Sequence, residues 1–85
     1  MIEKLEKRPN TLALESWLAA LVADLMGIPV ETIDVRARFD RYGVDSAAAV
    51  SLTDELERHL ERELEPTLLY EHPTIENLAA HLTEG

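Results

Sequence analysis

The chain has 85 residues, 46% of them apolar, no cysteine, and seventeen acids against eight bases, for a formal net charge of -9. That length permits one small domain with its own core, and ordering costs of about 1–2 kcal/mol per residue leave few side chains over for an internal catalytic cavity. The charge disfavours nucleic acid and anionic membranes, the missing cysteine excludes disulfides and thiolate metal sites, and no long apolar run reads as a signal peptide or span, so a cytoplasmic protein held by packing alone is expected.

Residues 1–10 alternate in charge and reach Pro9, and they read as a flexible arm ahead of a domain over 11–85. Leu14, Trp17, Leu18, Leu21 and Leu25 then recur in steps of three and four, predicting a helix over 11–26. Asn10 or Thr11 is its candidate cap, and Gly27 with Pro29 behind it is its stop. Periodicity is weak over 27–45, where a long ordered loop is expected, with one helical turn near 30–33. Ile28, Val30, Ile33, Val35, Phe39 and Val44 are its expected anchors to the core. Ala49, Leu52, Leu56, Leu60 and Leu64 form the clearest stripe and predict a helix over 46–63 that ends before Pro66. A short extra helix is a candidate at 68–71, and Thr74 caps a last helix whose inner face is Ile75, Leu78, Ala79 and Leu82. No segment alternates as a strand does. The expected fold class is all-α, a small three- to four-helix bundle with a long loop between the first two long helices.

Conventional catalytic signals are missing. His59, His72 and His81 lack metal-pair spacing and serine-elbow context, so surface histidines are expected, with neither a catalytic set nor a metal site. The constellation that stands out is Tyr42-Gly43-Val44-Asp45-Ser46, where the loop enters the acidic helix. Gly43 permits a tight turn, and the Ser46 hydroxyl can either cap the helix or face solvent. In the second case the helix N-terminus favours an anion attached there. Opposite the core stripe of that helix lies a strip of Ala47, Val50, Asp54, Glu57 and Glu61, two small apolar residues followed by three acids. Over 45–65 seven acids face two arginines, a balance suited to steering basic partner surfaces.

With those residues in place the chain resembles the acyl carrier proteins, over about 11–82. The matching residues are Phe39, Gly43-Val44-Asp45-Ser46, the leucines of the second helix, Pro66-Thr67-Leu68-Leu69-Tyr70, Pro73-Thr74, and Leu78-Ala79 with Leu82. The resemblance implies a fold of the acyl-carrier type, 4'-phosphopantetheine attached covalently to Ser46, and a partner-docking face of Asp45, Ala47, Val50, Asp54, Glu57 and Glu61. It implies a non-catalytic substrate of a phosphopantetheinyl transferase that carries acyl or polyketide intermediates as thioesters. Pro66-Thr67-Leu68 and Pro73-Thr74 look like polyketide-synthase carriers, and Gly43-Val44-Asp45 departs from the Gly-Gly-(His or Asp)-Ser of peptidyl carriers.

Ala47-Ala48-Ala49 replaces the large apolar residue that usually follows the serine, and the run through Val50 looks like carriers loaded with a fatty acyl starter by a fatty acyl-AMP ligase. The implied partners are that ligase or an acyltransferase, and a ketosynthase or other polyketide-synthase domains, met by a monomer that binds neither nucleic acid nor membrane. A stand-alone protein is expected. The competing reading is an acidic helical module that docks without being modified; a small serine hydrolase would need a histidine near Ser46 that the sequence gives no reason to place there.

Overall fold

The computed structural model describes residues 8–84. Four α-helices follow in chain order: α1 Pro9–Met26, α2 Ser46–Leu60, α3 Leu68–Glu71 and α4 Ile75–Glu84. Two 3-10 turns, Val30–Thr32 and Phe39–Tyr42, lie in the loop between α1 and α2. The first is the expected turn, and the second had no periodic signal. Among the described residues no strand forms, and the only bridge in sheet geometry joins Arg38 to Thr74.

Helix α1 begins at Pro9, two residues before the expected start, and neither Asn10 nor Thr11 caps it. Proline is favoured in the first turn because its missing N–H would have no intrahelical partner there. Arg8 takes the cap position, and its side chain makes no capping bond. The rest of the expected arm, residues 1–7, lies outside the described residues. Gly27 ends α1 in the left-handed conformation at φ 68° and donates its N–H to Ala23, the arrangement a glycine adopts without strain.

Leu14, Leu18 and Val22 form the buried stripe of α1, whereas Leu25 is 39% exposed. The stripe follows steps of four, which turns Leu25 off the core. Helix α1 packs on α4, with Thr11 near its start bonded to Thr83 near the end of α4 at 2.6 Å between hydroxyls, so the two run antiparallel. Leu52 and Leu56 of α2, Phe39 of the loop, Leu68 and Leu69 of α3, and Ile75, Leu78 and Leu82 of α4 complete the core. Trp17 of α1 stacks on His59 of α2 at 3.9 Å between ring centroids, and His72 stacks on His81 at 4.0 Å. His59 and His81 are exposed and His72 is half-buried.

Helix α2 starts at Ser46 as expected but stops at Leu60, three residues short of the expected end. Glu61 turns left-handed at φ 56°, and the Arg62 N–H reaches back to the Glu57 carbonyl at 3.3 Å. The Glu57 carboxylate then accepts the Leu64 N–H at 2.8 Å. Leu64 therefore reaches the core from beyond a tight turn, and its place in the leucine stripe carries no helical register. Thr74 caps α4 as expected, its hydroxyl accepting the Asn77 N–H at 3.0 Å.

The long loop is held by specific bonds as well as by its apolar residues. The Tyr42 hydroxyl accepts the Asp34 N–H at 2.6 Å and donates to the Asp34 carbonyl at 3.2 Å, closing residues 34–42. Phe39 is buried, and Ile33, Val35 and Val44 pack against the core, but neither Ile28 nor Val30, the latter 46% exposed, is among the residues that do. The Glu76 N–H binds the Val35 carbonyl at 2.9 Å, and the Phe39 N–H binds the Pro73 carbonyl at 2.8 Å. These bonds join the loop to the α3–α4 connection and to the first turn of α4. Their result is a cleft at the N-terminal end of α2.

Candidate functional site

Gly43 ends the second 3-10 turn at φ 86° and gives its N–H to the Asp40 carbonyl at 3.0 Å. That left-handed residue turns the chain so that Val44 points inward and Asp45 opens α2. Asp45 is the cap: its Oδ1 accepts the Ala48 N–H at 3.0 Å. Ser46 is therefore the first helical residue and not the cap. It is exposed, and no group among the described residues engages its hydroxyl. Of the two roles open to Ser46 in the sequence, capping belongs to its neighbour.

Beside Ser46 lies a cleft of about 300 Å³ between the loop, the first turns of α2, and α3 with its connection to α4. Phe39, Val44, Ala49, Leu69 and Pro73 give it apolar walls, and Tyr70, 71% exposed, stands at its edge. A flexible chain attached at the serine has room to lie there. The residues present thus fit a phosphopantetheine arm: a free nucleophilic hydroxyl at a helix N-terminus, an open approach and an apolar wall alongside.

The other expected site residues divide into two groups. Ala47 and Val50 are exposed next to Ser46, Val50 by 62%. Asp54 and Glu61 are also exposed. Glu57 is half-buried and bonded to the Leu64 N–H, so part of its carboxylate belongs to the fold. Arg38, Leu69 and Tyr70 line the Ser46 cleft although no local pattern marked them as site residues. They arrive there through the Phe39 to Pro73 bond, a pairing between residues far apart in the chain. Among the described residues no group of three or more His, Cys, Asp or Glu side chains could hold a metal ion, and no helix is long and apolar enough to cross a membrane.

The family profile described as "Phosphopantetheine attachment site" matches residues 16–82. The chain belongs to that family. It is a carrier domain of the kind that receives 4'-phosphopantetheine covalently on a serine, carries intermediates on it and catalyses nothing itself. Polyketide synthase PksN of Bacillus subtilis is 35% identical over 71 residues, which are 84% of this chain and 1% of that protein. The chain thus matches a small part of that relative.

Among solved structures, a free-standing peptidyl carrier protein from Acinetobacter baumannii is 40% identical with a TM-score of 0.82, over 88% of this chain and 94% of that one. The acyl carrier protein Asl1650 from Anabaena sp. PCC 7120 is 33% identical with a TM-score of 0.81, covering 93% and 90%. The all-helical carrier fold expected from the sequence is the fold observed, and polyketide synthases are among its curated relatives.

Proposed function

We propose that Ser46 is the attachment residue for 4'-phosphopantetheine, and that the domain carries fatty acyl or polyketide intermediates for cytoplasmic polyketide or lipid biosynthesis. One observation carries this reading: Asp45 caps α2, so the Ser46 hydroxyl stands exposed and unengaged at the helix N-terminus. In loading, Ser46 Oγ forms a bond to the phosphorus of coenzyme A that bears the pantetheine. The bond to 3',5'-ADP breaks, and the serine proton passes to a base on the transferase. When bound, the arm supplies a terminal thiol that holds acyl groups as thioesters. Ser46 anchors it, the first turn of α2 offers N–H groups to the phosphate, and the cleft walls shelter apolar parts of the cargo.

Asp45, Ala47, Val50, Asp54 and Glu61 form the surface offered to basic partners, with the outward part of Glu57 at its margin. An exposed apolar patch beside the nucleophile followed by acids suits docking by brief, charge-steered encounters. The partners are a phosphopantetheinyl transferase, an acyl-loading enzyme such as a fatty acyl-AMP ligase, and ketosynthase domains. The rate of modification is expected to fall as ionic strength rises.

The test is intact mass after incubation with coenzyme A, magnesium and a broad-specificity transferase. A gain of one phosphopantetheine supports the reading. A folded chain that gains nothing from more than one transferase is instead an unmodified docking module.

A further inference from the structure

We propose that Arg38 is a positioning residue for the phosphodiester that joins the arm to Ser46, an inference that rests on the reading of Ser46 given above. The charged residues lining the Ser46 cleft are Arg38, Asp40 and Asp45. An anion attached at Ser46 therefore enters a wall that already holds two carboxylates, and Arg38 is the one cation in that wall. Without it the only charged side chains lining the cleft would repel the phosphate, leaving the N–H groups at the start of α2 to hold it alone.

The geometry equips Arg38 for this. Its Nε donates to Asp40 Oδ2 at 3.3 Å, which holds the guanidinium near the cleft mouth. A guanidinium carries five N–H donors in a fixed fork, so its two terminal amino groups remain to meet phosphate oxygens. Asp45 is held as well, with one oxygen on the Ala48 N–H. The backbone at Arg38 is ordered by its bridge to Thr74, and next to it Phe39 is buried with its N–H on the Pro73 carbonyl at 2.8 Å. Little loop ordering is left for the ligand to impose, which favours a weak contact that would fail on a mobile loop. Arg36 and Arg41 share this loop but do not line the cleft, so their substitution removes the same charge without the position.

The test uses modified protein, driven to completion, from wild type and from the R38A, R38K and R41A variants. The readout is the 31P resonance of the phosphodiester and its relaxation, with no partner enzyme present. R38A is expected to move the resonance and increase the phosphate's mobility, R38K to give an intermediate result, and R41A to match wild type. In parallel, kcat/KM for coenzyme A at low salt is expected to fall about threefold in R38A, the scale of a contact made by a solvent-accessible charge, since the Arg38 side chain is 65% exposed.

A phosphorus resonance indifferent to Arg38 overturns the proposal, even if transfer slows, because Arg38 would then act only on the transferase. A wild-type chain that takes up no arm overturns the reading of Ser46 and this proposal with it. The first result leaves the reading of Ser46 standing, so the two failures are distinguishable.

Discussion

At its N-terminal end α2 has Asp45 bonded to the Ala48 N–H, Ser46 unengaged, and Ala47 and Val50 turned to solvent. At its C-terminal end Glu61 adopts φ 56°, and Glu57 receives the Arg62 N–H on its carbonyl and the Leu64 N–H on its carboxylate. Both ends carry an acid that satisfies a backbone donor. At the first end that bond leaves a neighbouring hydroxyl unengaged, and at the second it folds the chain back toward the core. One strip of residues along a helix surface therefore holds two kinds of site, and acidic character alone does not separate them.

The sharpest way to break this comparison is at the serines of α2. Ser46→Ala is expected to abolish the mass gain completely while leaving the helical circular dichroism intact, and Ser51→Ala to leave modification at the wild-type extent. Next in size is Val50→Pro. The Val50 side chain is 62% exposed, so the substitution acts on the helix backbone, with an expected loss of about 3 kcal/mol in a denaturant titration.

A paired substitution then separates the two ends. Asp45→Ala and Glu57→Ala are each expected to cost about 1 kcal/mol, the first by losing a cap and the second by losing the Leu64 contact. Only Asp45→Ala should also slow modification clearly, as followed by a mass time course. Equal slowing by both would mean that the far end of α2 matters as much to the transferase as the near end. The smallest expected effect is a gain: Glu61→Gly removes a side chain from a left-handed position and should stabilise the protein by about 0.5 to 1 kcal/mol, read as a higher midpoint of unfolding.

Local signals in the sequence predict the three longer helices, offer 68–71 as a candidate fourth, and predict the turn at 30–33, the Thr74 cap and the place of Ser46. Each depends on residues close in the chain: a leucine stripe, a glycine stop, a threonine before a periodic run. The discrepancies arise where distant residues decide. Leu64 continues the stripe of Leu56 and Leu60, yet Glu61 and Glu57 end the helix before it. Leu25 sits at a plausible inner position, yet α4 covers the face led by Leu18 and Val22. Arg38 and Tyr70 reach the cleft through bonds between the loop and the α3–α4 connection, for which the sequence has no periodicity to read. The sequence leaves two roles open to Ser46, and which residue caps α2 depends on the rotamer of the neighbouring Asp45.

The most direct test is to locate the modification within the chain. Cleavage after Arg41 and Arg58 gives a single tryptic peptide, residues 42–58, that contains both Ser46 and Ser51. Fragmentation of that peptide from the modified protein is predicted to place the phosphopantetheine mass on Ser46. The mass on Ser51, or on any peptide outside 42–58, would contradict the account.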